Sequence, residues 1–198
     1  MRPVWFFATD FGDTGVTVPL AFAVFAVLFM RRERRTALAW AAAVAGCAAL
    51  IAALKLLLAT CARCFFAIPG LASPSGHTAM SAAVYVSLAW LIGRPLPQPW
   101  CWAATGVAAV FVSAIAYSRF ALRLHSAPEV LVGFGVGITA VAIFREMLGG
   151  RVEERLPAAL LAGAAVVLIA MLHGTRWPAE QAIRASAGLL QRLLPWCG

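Results

Sequence analysis

Long apolar runs recur six times along this chain, at Val16–Met30, Thr36–Leu58, His77–Ile92, Cys101–Tyr117, Val130–Phe144 and Pro157–Leu172. Each approaches the length that carries an α-helix across about 30 Å of hydrocarbon. With 63% hydrophobic residues, 12% charged residues and a mean hydropathy of +0.87, the chain has too little polar surface to enclose them in water. The expected fold is therefore all-α: a polytopic membrane bundle of six transmembrane helices. The first, third and fifth runs need an extra turn from flanking residues. The third and fifth draw it from polar segments, which hydrocarbon tolerates only where they face protein or water. The tail from Trp177 to Leu194 sets Ile183, Leu189, Leu190, Leu193 and Leu194 among Glu180, Arg184, Gln191 and Arg192, the pattern of an interfacial helix. No repeat, low-complexity tract or linker divides residues 1–198, so a single domain is expected.

The formal charge of +8 fits loop arginines and anionic headgroups, not a nucleic-acid surface. The N-terminal MRPVWFFATDFGDTG lacks a small-residue cleavage site, and no signal peptide is expected. The densest basic cluster, Arg31-Arg32-Glu33-Arg34-Arg35, joins the first two runs and should be cytoplasmic, with both termini outside. Lysines and arginines then number eight on each side, so the orientation rests on that one loop. Parity does not depend on it. Two crossings separate the segment Lys55–His77 from the segment Ser118–Glu129, which places both at one membrane face.

Those two segments carry the chemistry. In Pro74-Ser75-Gly76-His77, Ser73 is the expected N-cap, Pro74 the first helical residue, and Gly76 a point of close backbone approach to a ligand. Unpaired N–H groups there attract an anion, and His77, one turn in, is placed to protonate a leaving oxygen. A plain cap followed by an interfacial histidine accounts for the tetrapeptide equally well. In the second segment, Ser118-Arg119 is followed by His125 and, four residues on, by Glu129, a spacing that puts imidazole and carboxylate on one helical face. A carboxylate on one ring nitrogen frees the other to attack, and a guanidinium grips phosphate in a planar fork. Ser126-Ala127-Pro128-Glu129 also reads as a capping box, which leaves Glu129 either a cap or a catalytic partner.

The pair Pro-Ser-Gly-His and Ser-Arg-(five residues)-His-(three residues)-acid resembles the second and third signature motifs of the type 2 phosphatidic acid phosphatase superfamily, in order and in spacing across two spans. The resemblance implies that His125 is the nucleophile forming a phosphohistidine, that Glu129 orients it, and that His77 is the general acid. It implies that Lys55, Ser75, Gly76 and Arg119 bind phosphate, and that neither metal nor other cofactor is needed. The first motif departs from the pattern: seven residues instead of six separate Lys55 from Arg63, and Cys64 stands where the family has proline. Arg63 is thus either a phosphate ligand or a solvated loop arginine, and Lys55 either a ligand or a snorkelling lysine. Glu129 replaces the usual aspartate.

The expected activity is hydrolysis of a terminal phosphate monoester or diphosphate of a membrane lipid. The enzyme would be a multi-pass protein of a bacterial inner membrane with its site facing the periplasm. A lipid phosphotransferase using the same intermediate and a non-catalytic lipid-binding or transport protein are the alternatives. Other conspicuous residues have plainer expectations. Asp10 and Asp13 read as caps or loop charges, Cys47 as core, and His173 as interfacial. Arg123 is a surface or phosphate-reaching residue. A disulfide among Cys61, Cys64 and Cys197 fits an oxidising face. The segment from Cys61 to Ser73, with Pro69 and Gly70, is a candidate lid, and most tryptophans fall near run ends as an aromatic belt does.

Overall fold

The computed structural model describes residues 2–65, 68–149 and 157–193, with the side chains of Arg2, residues 61–65 and Leu193 outside that description. Helix α1 (Arg2–Asp10) turns at Phe11–Asp13 into α2 (Thr14–Met30), and α3 (Arg34–Phe65) returns. Helix α4 (Gly76–Ser81) continues through a π-helical turn, Ala82–Val86, into α5 (Ser87–Gly93). Then follow α6 (Gln98–Ala121), α7 (Ala127–Leu148), α8 (Ala158–Leu172) and α9 (Ala179–Leu193). Every element among the described residues is helical. Four stretches are long and apolar enough to cross a membrane: Pro3–Met30, Arg34–Thr60, Gln98–Ala121 and Ala127–Leu148. Six crossings are thus not confirmed by length and composition among the described residues. Helix α8 is apolar but shorter, and the third run is divided by its π turn. The first apolar stretch also begins earlier than Val16, because α1 adds its own residues.

The bundle is held by apolar packing inside and left apolar outside. Val24 and Leu28 of α2 and Trp40 of α3 are almost wholly buried; Trp40 donates its indole N–H to the Ala21 carbonyl at 2.9 Å and meets Phe144 of α7 edge-on. A buried indole without that acceptor would forfeit about 1–3 kcal/mol. Phe22, Val107, Val110, Val166 and Met171 point outward, as hydrocarbon-facing positions do. At one end of the bundle Arg35 donates to the Met147 carbonyl and Arg94 to the Gly149 carbonyl, while Arg94 and Arg145 lie over the Trp90 ring at 4.9 and 5.5 Å. The basic loop therefore gathers where α5 and α7 end.

The other end of the bundle brings α2, α4 and α7 together by their starts and α3 and α6 by their ends. Gly133 and Gly137, four residues apart on α7, let α7 and α4 touch backbone to backbone. A Cβ on Gly133 would strike the Ser75 carbonyl oxygen, and one on Gly137 would lie 2.6 Å from both the Ala79 oxygen and the Ala82 Cβ. That approach is sealed by a hydrogen bond from Ser75 N to the Glu129 carbonyl at 2.9 Å.

Candidate active site

The α4 start differs from its expected form. Ser75, not Ser73, is the N-cap: its hydroxyl accepts from Thr78 Oγ1 at 2.9 Å and from Thr78 N at 3.4 Å. Pro74 precedes the cap, and His77 is the second helical residue rather than one turn in. Ser75 is fully buried, and its hydroxyl serves the helix start instead of the cavity wall. Gly76 does line the cavity. A Cβ there would stand 3.7 Å from Ile51 and from the Lys55 side chain, an ordinary contact, so packing alone does not demand glycine.

Glu129 does both things its spacing allowed. One oxygen, Oε2, accepts from Ser126 N at 3.0 Å, completing the capping box, and lies 2.9 Å from His125 Nδ1. The other, Oε1, accepts from Ala72 N at 3.1 Å and Ser73 N at 2.6 Å. One carboxylate thus starts a helix, fixes an imidazole and holds the α3–α4 connection. Ser126 adds a hydroxyl bond to the Gly70 carbonyl. The described part of the connection, from residue 68 on, is therefore anchored to the third motif. His125 is held at its backbone as well, since its N–H donates to the Arg119 carbonyl at 3.2 Å. Burial, aided by the nearby charges of Arg119 and Lys55, pushes its pKa below 6.5 against the opposing pull of Glu129, so the imidazole is neutral at neutral pH.

Lys55, His77, Arg119, His125 and Glu129 converge on one cavity of about 520 Å³. Lys55 is only 4% exposed, which rules out a snorkelling side chain; its ammonium donates to Ser73 Oγ at 3.0 Å and pairs closely with Glu180 of α9. Arg119 donates to Thr9 Oγ1 at 3.1 Å, while its buried Nε has no hydrogen-bond partner among the described residues. A guanidinium lining a cavity with an ammonium and two imidazoles is an inventory for a tetrahedral oxyanion. Beyond the cations the wall turns apolar, with Val18 from α2, Ala48, Ile51 and Ala52 from α3, and Met80 from the third run.

The side chains of Arg63, Cys61 and Cys64, and Cys197, lie outside the described residues. Arg123 stands apart, with a left-handed φ of 56°, at an open depression shared with Phe120, Ala121 and Ser126 on the far side of His125. His173 packs between Phe7 and Phe11, its Nε2 3.0 Å from the Phe7 carbonyl. Cys47 is buried, as a core residue should be.

Two carboxylates were not expected at the site. Asp13 caps α2 through Gly15 N at 2.8 Å and also approaches His77 Nε2 to 3.4 Å. Its cap pattern was visible in the sequence; the second contact bridges distant helices and was not. Glu180 comes from the amphipathic tail, whose α9 does not merely lie in an interface: it crosses α3 and brings Glu180, Ile183 and Arg184 over the cavity. Burial raises the Glu180 pKa, but the ion pair with Lys55 outweighs it and holds the carboxyl below its ordinary value.

A helical bundle gathers a histidine–carboxylate pair, a second histidine, an arginine and a lysine at the shared ends of its apolar helices, and the chain belongs to the PAP2 superfamily, whose family model matches residues 57–153. Members of that superfamily are phosphatases, which supports a phosphoric ester hydrolase. A Klebsiella pneumoniae relative, named "Uncharacterized 22.5 kDa protein in cps region", is 30% identical over 141 residues, 71% of this chain and 67% of that protein. No solved structure matches the chain.

Proposed function

We propose that this chain hydrolyses the terminal phosphate of a membrane lipid, monoester or diphosphate, through a metal-independent phosphohistidine mechanism. The observation that carries the reading is the two-sided cavity: cations and imidazoles at one end, an apolar wall of α2 and α3 residues at the other, a shape that suits a charged headgroup with its chain still in the bilayer. Lys55 and Arg119 hold the phosphoryl oxygens. The lone pair of His125 Nε2 attacks phosphorus as the bond to the lipid oxygen breaks, and His77 gives its proton to that departing oxygen. Glu129 keeps the proton on His125 Nδ1 and stabilises the imidazolium character that develops. Water then attacks the phosphohistidine, the P–N bond breaks, and the now neutral His77 takes the proton lost by the water, leaving inorganic phosphate and the enzyme as it began.

The same reading takes α8 and the α4–α5 helix as the fifth and sixth crossings, in a bacterial inner membrane. The arginine-rich end is cytoplasmic, and the site opens to the periplasm. The test is phosphate release in EDTA from a panel of lipid phosphates and diphosphates, set against glycerol phosphate as a soluble headgroup. Wild type should favour the lipids, and His125→Ala should be inert. Full activity of His125→Ala, or no turnover of any lipid by wild type, refutes the mechanism. Phosphate appearing on an added acceptor lipid instead of in solution would make the enzyme a phosphotransferase.

A further inference from the structure

Asp13 splits its two oxygens between two tasks. Oδ1 accepts from Gly15 N at 2.8 Å and from Trp177 N at 3.0 Å, capping α2 and tying down the segment that leads into α9. Oδ2 faces His77 Nε2 at 3.4 Å. The carboxylate is buried, so its contact with the imidazole fixes the ring's orientation. The other charges around His77 are cations: Lys55 arrives from α3 and Arg119 from α6, both on the same cavity. The remaining carboxylates nearby are committed elsewhere, Glu129 to His125 and the loop amides, Glu180 to Lys55, and Asp10 to Arg176. Among the described residues, Asp13 is thus the carboxylate that faces His77, which sits between two cations.

We propose that Asp13 is the positioning residue of the general acid, fixing the His77 ring through Nε2 and aiming it so that it can give a proton to a poor, alkoxide-like leaving group. This rests on the phosphohistidine reading above and extends it: the site would contain two histidine–carboxylate pairs with opposite duties. Glu129 serves the histidine that attacks, and Asp13 serves the one that donates. The two duties predict different sensitivity to the leaving group. Loss of acid catalysis hurts departure of an alkyl oxygen and hardly affects a nitrophenolate, which leaves without a proton. Loss of the nucleophile abolishes both.

The experiment measures kcat/KM, which reports the first phosphoryl transfer, on an alkyl phosphate and a nitrophenyl phosphate carrying chains of equal length. Asp13→Asn retains an oxygen for Gly15 and Trp177 and is as good a cap, but it presents His77 with an amide in place of a carboxylate. Asp13→Ser, another good cap with no group that reaches His77, gives a second, independent variant. Both variants should lose roughly 10- to 100-fold on the alkyl substrate and less than about 3-fold on the aryl one, and His77→Asn should show the same split more strongly. If the Asp13 variants fall equally on both substrates while His77→Asn discriminates, Asp13 is structural only: the positioning role is overturned and the site reading stands. If His77→Asn fails to discriminate as well, the assignment of the acid falls and the role of Asp13 with it.

Discussion

Replacing Gly137 by alanine should pry α7 from α4, and the cost can be worked from the packing. The new Cβ would lie 2.6 Å from the Ala79 oxygen and the Ala82 Cβ, where ordinary contact begins at 3.4 Å, so the helices must part by about 1 Å. Overpacking of that kind costs about 1–3 kcal/mol. At Gly133 the added methyl meets the Ser75 carbonyl, so Gly133→Ala also stretches the bond from Ser75 N to the Glu129 carbonyl, adding about 1 kcal/mol. Because α4 carries His77 and α7 carries Glu129, a shift of about 1 Å separates His77 from the His125–Glu129 pair and, on the mechanism proposed above, should lower kcat by up to about 100-fold. Gly135 is the internal control: it lies between the other two on α7, has open space where its Cβ would go, and on becoming alanine should gain about 0.5–1 kcal/mol of helix stability. Thermal unfolding in detergent and phosphate release from a lipid phosphate would be read on all three variants. If Gly133→Ala and Gly137→Ala melt and turn over as Gly135→Ala does, close helix contact does not set the site and the reasoning fails.

Two further outcomes follow from the charges. Glu180→Gln frees Lys55 from a partner that is itself part-exposed, so the gain is that of a surface ion pair, about 0.2–1 kcal/mol; KM for lipid phosphate should fall by about 1.5- to 5-fold, and an unchanged KM would show that Glu180 does not compete with substrate. The acid limb of kcat/KM, set by protonation of His125, should lie below pH 6.5, because burial and the neighbouring cations disfavour the imidazolium; in Glu129→Gln the carboxylate favouring that cation is gone, so the limb should move lower still while kcat drops, and a limb at or above pH 6.5 in wild type would contradict this.

What was legible in the sequence lay in local spacing and in parity. Apolar runs set the all-helical class, an even number of crossings put Lys55 and His125 at one end, and an i, i+4 interval paired His125 with Glu129. The capping box and the catalytic pair competed as explanations of Glu129 because a four-residue window cannot show that a carboxylate has two oxygens to share. The cap at α4 was placed two residues early, since Ser73 and Ser75 are equally good caps and only Ser75 has Thr78 to bond. Asp13 with His77 and Glu180 with Lys55 were not visible at all, for their partners lie on other helices and no periodicity relates them. The spacing of Gly133 and Gly137 was a readable sign of close helix approach, though nothing local named α4 as the neighbour.

The π turn at Ala82–Val86 has a consequence of its own. Inserting one residue into an α-helix rotates everything beyond it by about 100° relative to what came before. Both halves touch α6, but the half that carries His77 also packs on α3 and α7, while the half that carries Trp90 packs on α8 as well. A single unbroken helix would have to compromise between those azimuths. With the turn in place, the histidine that lines the cavity and the tryptophan that stacks under Arg94 and Arg145 answer to separate constraints, so either end can change its partners without misaiming the other.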